Sequence, residues 1–170
     1  MNRKKKRGII IYLIFLSLVV FLFKVVLMLN FVPSGSMEGT IKSGNFLIST
    51  RFDVQEEELE RYDILIFTPP DSPEKTYIKR LIGMPGETIE VKNGKVFADG
   101  VELDSSFQKG PQNRTGDGVY VVPEGCYFFL GDNRNNSNDS RFWNEKYIPL
   151  ENIQAKARFI IFPFKDVKSL

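Results

Sequence analysis

The stretch TYIKRLIGMPGETIEVKNGKVF, residues 76–97, holds the clearest signals for the fold. It opens with a run of strand-forming side chains that Pro85-Gly86 ends. Residues 88–92 then alternate between apolar and polar side chains, and Asn93-Gly94 is a preferred sequence for a two-residue hairpin turn. The stretch therefore predicts short antiparallel strands joined by tight turns.

Similar short strands are predicted along most of the chain beyond residue 40. Their ranges are 46–48, 63–67, 119–122, 127–130 and 155–162. Residues 55–61 could hold one helical turn or more, and the polar residues 104–118 are predicted to form a surface loop. Helix is otherwise scarce there, so we predict a mainly β domain with antiparallel strands.

The N-terminus differs sharply from this β-rich part. Residues 8–29 are almost wholly apolar, and at about 1.5 Å per residue a helix of that length reaches roughly 33 Å, enough to cross a bilayer. Five basic residues precede it and favour a cytoplasmic N-terminus. We therefore expect a cytoplasmic tail at 1–7, a transmembrane anchor at 8–29 and an extracytoplasmic domain at 30–170. A cleaved signal peptide is the alternative, but the apolar run is long for one and no Ala-x-Ala-like site follows it.

Charge and composition exclude several classes of function. The net charge is +2, but the first 29 residues carry six basic side chains and no acidic one, so residues 30–170 carry −4. This part lacks the basic surface of a nucleic-acid-binding domain. A single cysteine and the absence of histidine argue against an internal disulfide, a zinc site or a haem site. We therefore expect no metal and no cofactor.

Two serines and a glycine lie just beyond the apolar run, in Ser34-Gly35-Ser36-Met37. A serine hydroxyl becomes a good nucleophile only when a base removes its proton, and without histidine that base must be a lysine or a carboxylate. Ser36 is the candidate nucleophile, and Ser34 could offer its hydroxyl to a developing oxyanion. The segment alone also fits an ordinary linker turn.

Lys79 is the candidate base. Side chains alternate across a strand, so Lys79 shares one face with Tyr77 and Leu81, while Arg80 lies on the other. Desolvation on an apolar face would lower the pKa of the ammonium group and permit a neutral amine near neutral pH. A solvated edge lysine is the alternative. Arg80 cannot act as the base because it stays charged.

A second polar segment, residues 131–141, follows a predicted apolar strand. It could be a plain surface loop, or a loop that many internal hydrogen bonds fix against a site. Asp139 and Arg141 could form an ion pair that holds its shape, and Ser137 or Ser140 could orient a lysine amine. Calcium binding is a further alternative, for which the candidate ligands are Asp132, Asn133, Asn135 and Asp139, but the spacing and closing glutamate of an EF-hand are missing.

Together these segments resemble the bacterial-type, type I signal peptidases. The resemblance covers nearly the whole chain, including the basic N-terminus and the single anchor. Its motifs are Pro33-Ser34-Gly35-Ser36-Met37, Tyr62-Asp63-Ile64, residues 77–86, and residues 131–134 with 139–141. Each motif is modest, but their order along one chain is highly specific.

The resemblance implies roles for individual residues. Ser36 would be the nucleophile and Lys79 the general base. Ser34 would complete the oxyanion hole, and Ser137 would hydrogen-bond the lysine amine. The family's catalytic core is β-rich, in agreement with the predicted strands.

Supporting and substrate-binding residues follow from the same resemblance. Asp139 and Arg141 would form the supporting ion pair, with Asp132 and Arg134 as structural parts of the same loop. The substrate pocket would be lined by Val32, Met37, Ile41, Tyr77 and Ile78. Two positions depart from the family pattern: Gly39 stands where proline is common, and Asn135 where aspartate is common.

The expected function is that of a membrane-anchored serine endopeptidase that removes signal peptides from exported preproteins after small residues at the first and third positions before the cut. Its partners would be preprotein signal peptides and membrane lipid, with no nucleic acid. Two alternatives stay open: a specialised serine–lysine processing protease of the pilus or conjugation type, and a non-catalytic membrane-anchored domain that binds extended peptides.

Overall fold

The N-terminal segment is one long helix whose side chains are mostly exposed from residue 5 to residue 25. The computed structural model describes residues 3–112 and 116–170, so the first two residues of the predicted basic tail lie outside the described residues. Helix α1 spans Arg3–Phe21 and continues as a π-helical turn over Leu22–Val26. Residues 5–26 are long and apolar enough to cross a membrane, and none of their apolar stretch is buried against the rest of the protein.

The helical segment ends earlier than the predicted anchor. Residues 27–29 belong to strand β1, Leu27–Phe31, which pairs antiparallel with β2, Phe46–Thr50. Leu27 and Leu29 are apolar enough for either structure, and the backbone partners offered by β2 decide in favour of a strand. The polypeptide therefore passes from the membrane-type helix directly into the sheet.

The larger of two sheets has eight strands and carries most of the core. Besides β1 and β2 it contains β3, Ile64–Phe67; β4, Tyr77–Gly83; β9, Cys126–Leu130; β10, Ile148–Pro149; β11, Ile153–Phe162; and β12, Lys168–Ser169. The order is β1-β2-β11-β3-β4-β9-β10, and β12 pairs with β11. All pairings are antiparallel, and β1 lies at one edge.

A smaller sheet has four strands in the order β7-β6-β5-β8. They are β5, Thr88–Lys92; β6, Lys95–Ala98; β7, Val101–Glu102; and β8, Gly118–Val121. Asn93-Gly94 forms the β5–β6 turn, and both residues have positive φ, as a type I′ turn requires. One buried cluster, which includes Ile82 and Phe128 of the large sheet and Ile89 of the small one, joins the two sheets.

The predicted fold class is confirmed: the protein is mainly antiparallel β with one N-terminal apolar helix. Each predicted strand corresponds to an observed one, with ends that differ by one or two residues. The predicted turn within 55–61 is a single 3-10 turn at Glu56–Glu58. The strands that sequence reasoning missed are β1, which was assigned to the anchor, and the two-residue strands β7, β10 and β12.

Candidate active site

A cleft of about 450 Å³ lies between β1 with the turn that follows it and the first half of β4. It is lined by Met28, Leu29, Asn30, Phe31, Val32, Pro33, Ser34, Ser36, Met37, Lys75, Thr76, Tyr77, Ile78 and Lys79. The lining is mostly apolar, and its hydroxyl and amine groups belong to Ser34, Ser36, Lys75, Thr76, Tyr77 and Lys79.

Strand pairing leaves backbone edges beside this cleft. Residues 77–80 of β4 pair with β3 on one side, but pairing with β9 on the other side begins only at Arg80. Strand β1 pairs with β2 alone among the described residues. An extended peptide could therefore add backbone hydrogen bonds along either edge.

Ser36 and Lys79 meet in the lining of this cleft. The Lys79 Nζ lies 2.6 Å from the Ser36 Oγ, a hydrogen-bond distance, although 43 positions separate the residues in the chain. Their exposed fractions are only 5% for Lys79 and 8% for Ser36. Lys79 Nζ is also 3.3 Å from the Ile78 carbonyl oxygen. The geometry suits proton transfer from the hydroxyl to the amine.

Burial makes the Lys79 amine a weaker base than an ordinary lysine. Desolvation lowers the pKa of Lys79 from 10.5 to about 8, while the negative charges of Asp139 and Asp132 oppose that shift. A substantial fraction of the amine is therefore neutral slightly above neutral pH. The protein supplies this without a histidine, because an apolar surrounding disfavours the charged form.

Ser34 lies next to this pair at the exposed side. Its hydroxyl is 3.4 Å from the Ser36 Oγ, and it lines the cleft. The chain at Gly35 turns tightly, with the N–H of Glu38 donating to the Gly35 carbonyl oxygen at 3.1 Å. Both serine hydroxyls can therefore face one reacting group.

The polar segment 131–141 forms hydrogen bonds to the backbone of the turn that carries Ser36. The Asn133 backbone N–H donates to the Ser36 carbonyl oxygen at 3.0 Å, and the Asn133 side-chain amide donates to the Gly35 carbonyl oxygen at 3.0 Å. Sequence reasoning considered Asn133 only as a calcium ligand. Its position three residues after the end of β9 was the available signal, but its contact with residues 35 and 36 depends on the tertiary fold.

A buried ion pair fixes the shape of the segment. Arg141 donates from Nε and Nη2 to the two carboxylate oxygens of Asp139, both at 2.8 Å, and neither side chain is exposed. Asp139 also accepts from the Gly131 N–H at 3.0 Å, and Arg141 donates to the Arg134 carbonyl oxygen at 2.9 Å. Burial lowers the pKa of Arg134 to about 10. These internal hydrogen bonds fix the shape of residues 131–141, so the segment is not a plain surface loop.

A second arginine–aspartate pair connects the segment to β4. Arg80 donates to both carboxylate oxygens of Asp132, at 2.8 and 2.6 Å, and to the Thr40 hydroxyl at 3.0 Å. As predicted, Arg80 points away from Lys79 across the strand. The two aspartates considered as calcium ligands, Asp132 and Asp139, are thus each paired with an arginine.

Ser137 differs from its expected role. Its side chain is fully buried, and its hydroxyl has no hydrogen-bond partner among residues 3–112 and 116–170, so the expected bond to the Lys79 amine is not formed. The reason is local packing against Gly131: a Cβ added to Gly131 would lie 2.2 Å from the Ser137 Oγ and 2.6 Å from the Ser36 carbonyl oxygen. Ser137 therefore fills the space directly behind the Ser36 turn.

The comparisons with known proteins give one family. The family model described as "Signal peptidase, peptidase S26" matches residues 5–162. The chain belongs to the peptidase S26 signal peptidase family. The resemblance identified from the sequence motifs is thereby confirmed.

Curated signal peptidases resemble the chain over most of its length. Signal peptidase I of Rickettsia typhi is 33% identical and the match covers 79% of this chain and 71% of that protein. The probable signal peptidase I-1 of Synechocystis is 36% identical, with 79% and 70% covered. A crystal structure of a signal peptidase I from Enterococcus faecalis is 31% identical with a TM-score of 0.48 over 58% of this chain and 95% of that one.

Four of the five pocket residues expected of a signal peptidase line the cleft: Val32, Met37, Tyr77 and Ile78. Ile41 does not. It is fully buried in the core cluster that also contains Val32 and Met37, because the turn at 37–41 directs it into the sheet. Ile41 therefore supports the lining residues from inside. The departure Asn135 is an exposed residue that donates to the Pro111 carbonyl oxygen at 2.9 Å.

Proposed function

We propose that this chain is a membrane-anchored serine endopeptidase that removes signal peptides from exported preproteins, with Ser36 as nucleophile and Lys79 as general base. The observation that carries the proposal is the 2.6 Å approach of the Lys79 amine to the Ser36 hydroxyl in a buried position. Membership of the signal peptidase family supports the same reaction.

The reaction proceeds in two steps. Neutral Lys79 accepts the Ser36 proton while the Ser36 oxygen forms a bond to the scissile carbonyl carbon. The carbon–nitrogen bond then breaks, and the protonated lysine gives its proton to the leaving amine. Water, deprotonated by the same lysine, then attacks the acyl carbon; the bond from that carbon to the Ser36 oxygen breaks, and the lysine returns its proton to that oxygen to restore the hydroxyl.

The oxyanion formed in each step needs hydrogen-bond donors. The Ser36 backbone N–H and the Ser34 hydroxyl are assigned this role, because Ser34 Oγ lies 3.4 Å from the attacking oxygen. One such donor contributes about 3–4 kcal/mol to transition-state stabilisation. Asp139 and Arg141 act indirectly by holding the segment that bonds to residues 35 and 36, and Ser137 acts by packing behind that turn.

The substrate is assigned an extended conformation along the edges of β1 and residues 77–79. Alternate side chains of such a peptide point to the same side, so the first and third residues before the cut would face the cleft. Val32, Met37, Tyr77 and Ile78 occupy part of that space. Small residues at both positions are therefore the expected preference.

The anchor is assigned a single span with a cytoplasmic N-terminus, so that the sheet domain lies on the extracytoplasmic side. The domain enters the sheet immediately after the helix, which keeps the cleft near the bilayer. An exposed row of aromatic rings is formed by Phe31, Phe46 and Phe162 of the same sheet and by Phe164 of the 3-10 turn after β11, with neighbouring centroids 5.1–6.0 Å apart. We assign this row to the lipid surface.

The direct test is incubation of the detergent-solubilised full chain with a purified preprotein that carries an Ala-x-Ala signal, followed by mass determination of the fragments. A single cut after the second alanine is expected, and Ser36→Ala should remove it. An enzyme of the pilus or conjugation type would leave this substrate intact. A non-catalytic peptide-binding domain would also take no label at Ser36 from a serine-acylating inhibitor.

A further inference from the structure

A loop from the small sheet reaches the segment that carries the proposed nucleophile. It follows β7, and its residues Phe107 and Lys109 contact the turn at 37–40. Gly39 lies against this loop: its φ is +112°, and a Cβ there would lie 2.9 Å from the Phe107 carbonyl oxygen. Proline, with φ fixed near −65°, cannot adopt this conformation. The departure from the family pattern at this position is therefore tied to a specific contact.

The Phe107 side chain packs over Arg80, which forms an ion pair with Asp132 next to the turn at 37–40. Its ring centroid lies 4.1 Å from the Arg80 guanidinium carbon and 5.6 Å from the Tyr62 ring centroid. Arg80 pairs with Asp132 and also donates to the Thr40 hydroxyl. The ring therefore covers the arginine that joins the Lys79 strand to the segment 131–141 through Asp132 and to the Ser36 turn through Thr40, and the cation–π contact adds to the stability of this arrangement.

Lys109 contacts both the polar segment 131–141 and the turn that carries Ser36. Its backbone N–H donates to the Asp132 carbonyl oxygen at 2.9 Å, one residue before Asn133, which holds the Ser36 carbonyl group. Its amine forms an ion pair with Glu38. That pair is exposed and contributes little by itself, so the backbone contacts and the aromatic ring carry the interaction.

The turn transmits any displacement at Gly39 to Ser36. The Ile41 and Thr40 N–H groups both donate to the Met37 carbonyl oxygen, at 2.8 and 3.1 Å, which makes residues 37–41 one compact unit. Neither Gly39 nor Phe107 lines the cleft. A change at either residue should therefore alter the placement of the hydroxyl and leave the substrate surface intact.

We propose that Phe107 is a positioning residue that clamps the turn at 37–40, with its carbonyl group against Gly39 and its ring over Arg80, and so holds Ser36 against Lys79. The proposal rests on the proposed serine–lysine mechanism and adds a loop of the small sheet to it. Loss of the clamp should lower kcat with little effect on KM, since small errors in the position of a reacting group cost about 100-fold per ångström in rate.

The test compares Gly39→Ala with Gly44→Ala in the full chain. Both glycines have positive φ, but a Cβ at Gly44 meets nothing within 4 Å, so Gly44→Ala controls for backbone strain alone. We expect kcat for preprotein cleavage to fall about tenfold or more in Gly39→Ala, with KM within about twofold. Equal kcat values in the two variants, or a loss confined to KM, would overturn the clamp.

A second pair of variants covers the case in which Gly39→Ala fails to fold. Phe107→Ala should lower kcat in the same way, and Phe107→Trp, which keeps an aromatic face over Arg80, should restore it. An equal kcat in Phe107→Ala and the parent would overturn the proposal. The parent and Ser36→Ala distinguish this result from failure of the proposed function: if the parent does not cleave, or if Ser36→Ala does, the mechanism itself is wrong.

Discussion

The Asn133 backbone N–H donates a 3.0 Å hydrogen bond to the carbonyl oxygen of Ser36, across 97 positions of sequence. The Asn133 side chain adds a second bond of 3.0 Å to the carbonyl oxygen of Gly35. Together they fix the two peptide groups that flank the Ser36 Cα, and the first of these carries the Ser36 N–H, one of the assigned oxyanion donors. The placement of the proposed nucleophile thus depends on a residue outside the proposed pair.

Removal of the Asn133 side chain should slow cleavage without unfolding the protein. Asn133→Ala loses one hydrogen bond to Gly35 and keeps the backbone bond, so a cost of about 1 kcal/mol, or about fivefold in kcat, is expected. Steady-state cleavage of a model preprotein measures it. Asn138→Ala, an exposed amide in the same segment, is the control and should retain the parental rate.

A methyl group at Gly131 should be far more damaging. It would lie 2.2 Å from the Ser137 hydroxyl and 2.6 Å from the Ser36 carbonyl oxygen, so both must move. We expect Gly131→Ala to lower the free energy of unfolding by about 2 kcal/mol or more and to reduce cleavage at least about 100-fold. Thermal unfolding and cleavage assays check this. Gly125→Ala, where a Cβ meets nothing within 4 Å but φ is +69°, reports the cost of backbone strain alone, and a loss at Gly131 no larger than that at Gly125 would contradict the packing described for Ser137.

Asp139→Asn should shift the pH dependence of cleavage as well as stability. The variant leaves Arg141 buried without its counter-ion, which costs about 3–5 kcal/mol of stability. The charge of Asp139 also raises the pKa of Lys79, so its removal should let cleavage persist to lower pH. The pH profile of kcat/KM in folded variant protein measures the shift. A profile displaced toward higher pH would show that Asp139 does not act on the lysine in this way.

Lys79→Met should inactivate the protein and stabilise it. The pKa of Lys79 is about 8 in the folded protein, whereas an ordinary solvated lysine has a pKa of 10.5. The unfolded chain therefore binds the proton more tightly than the folded protein does. Parental stability should therefore rise as the pH increases from about 8 to about 10.5, and below that window the buried ammonium costs about 3 kcal/mol. Methionine removes this cost.

Chemical denaturation at pH 7 and pH 10 measures the effect, with the exposed Lys92→Met as control. The Lys79→Met variant should be the more stable protein at pH 7 and should lose the pH dependence. A destabilised variant would mean that the lysine amine is better solvated than its burial indicates.

Much of the fold was predictable because short stretches of sequence determine it locally. The alternation in 88–92 and the Asn93-Gly94 turn specify a hairpin regardless of the rest of the chain. The end of the anchor was not predictable, because Leu27 and Leu29 suit a helix and a strand equally well, and only pairing with β2 makes this segment a strand. Ile41 was assigned to the pocket from resemblance, whereas the direction of the turn places it in the core.

The proposed site likewise has residues that local sequence motifs predict and contacts that only the tertiary fold determines. Ser36 and Lys79 stand in recognisable motifs, and the alternation of β4 correctly separated Lys79 from Arg80. The contacts of Asn133 with the Ser36 turn and of Phe107 with Gly39 join segments about 70 to 100 positions apart. No local pattern encodes such contacts, and they follow only from the packing of the two sheets.

The central claim, that an uncharged Lys79 amine activates the Ser36 hydroxyl, is tested most directly by the rate of Ser36 acylation as a function of pH. The full chain would be treated with a serine-acylating inhibitor, and the adduct mapped and timed by mass spectrometry. The rate should rise through one ionisation near pH 8, where the pKa of Lys79 lies, and Lys79→Arg should take no label although it folds. A rate that is flat down to acid pH, or labelling of Lys79→Arg at the parental rate, would contradict the account.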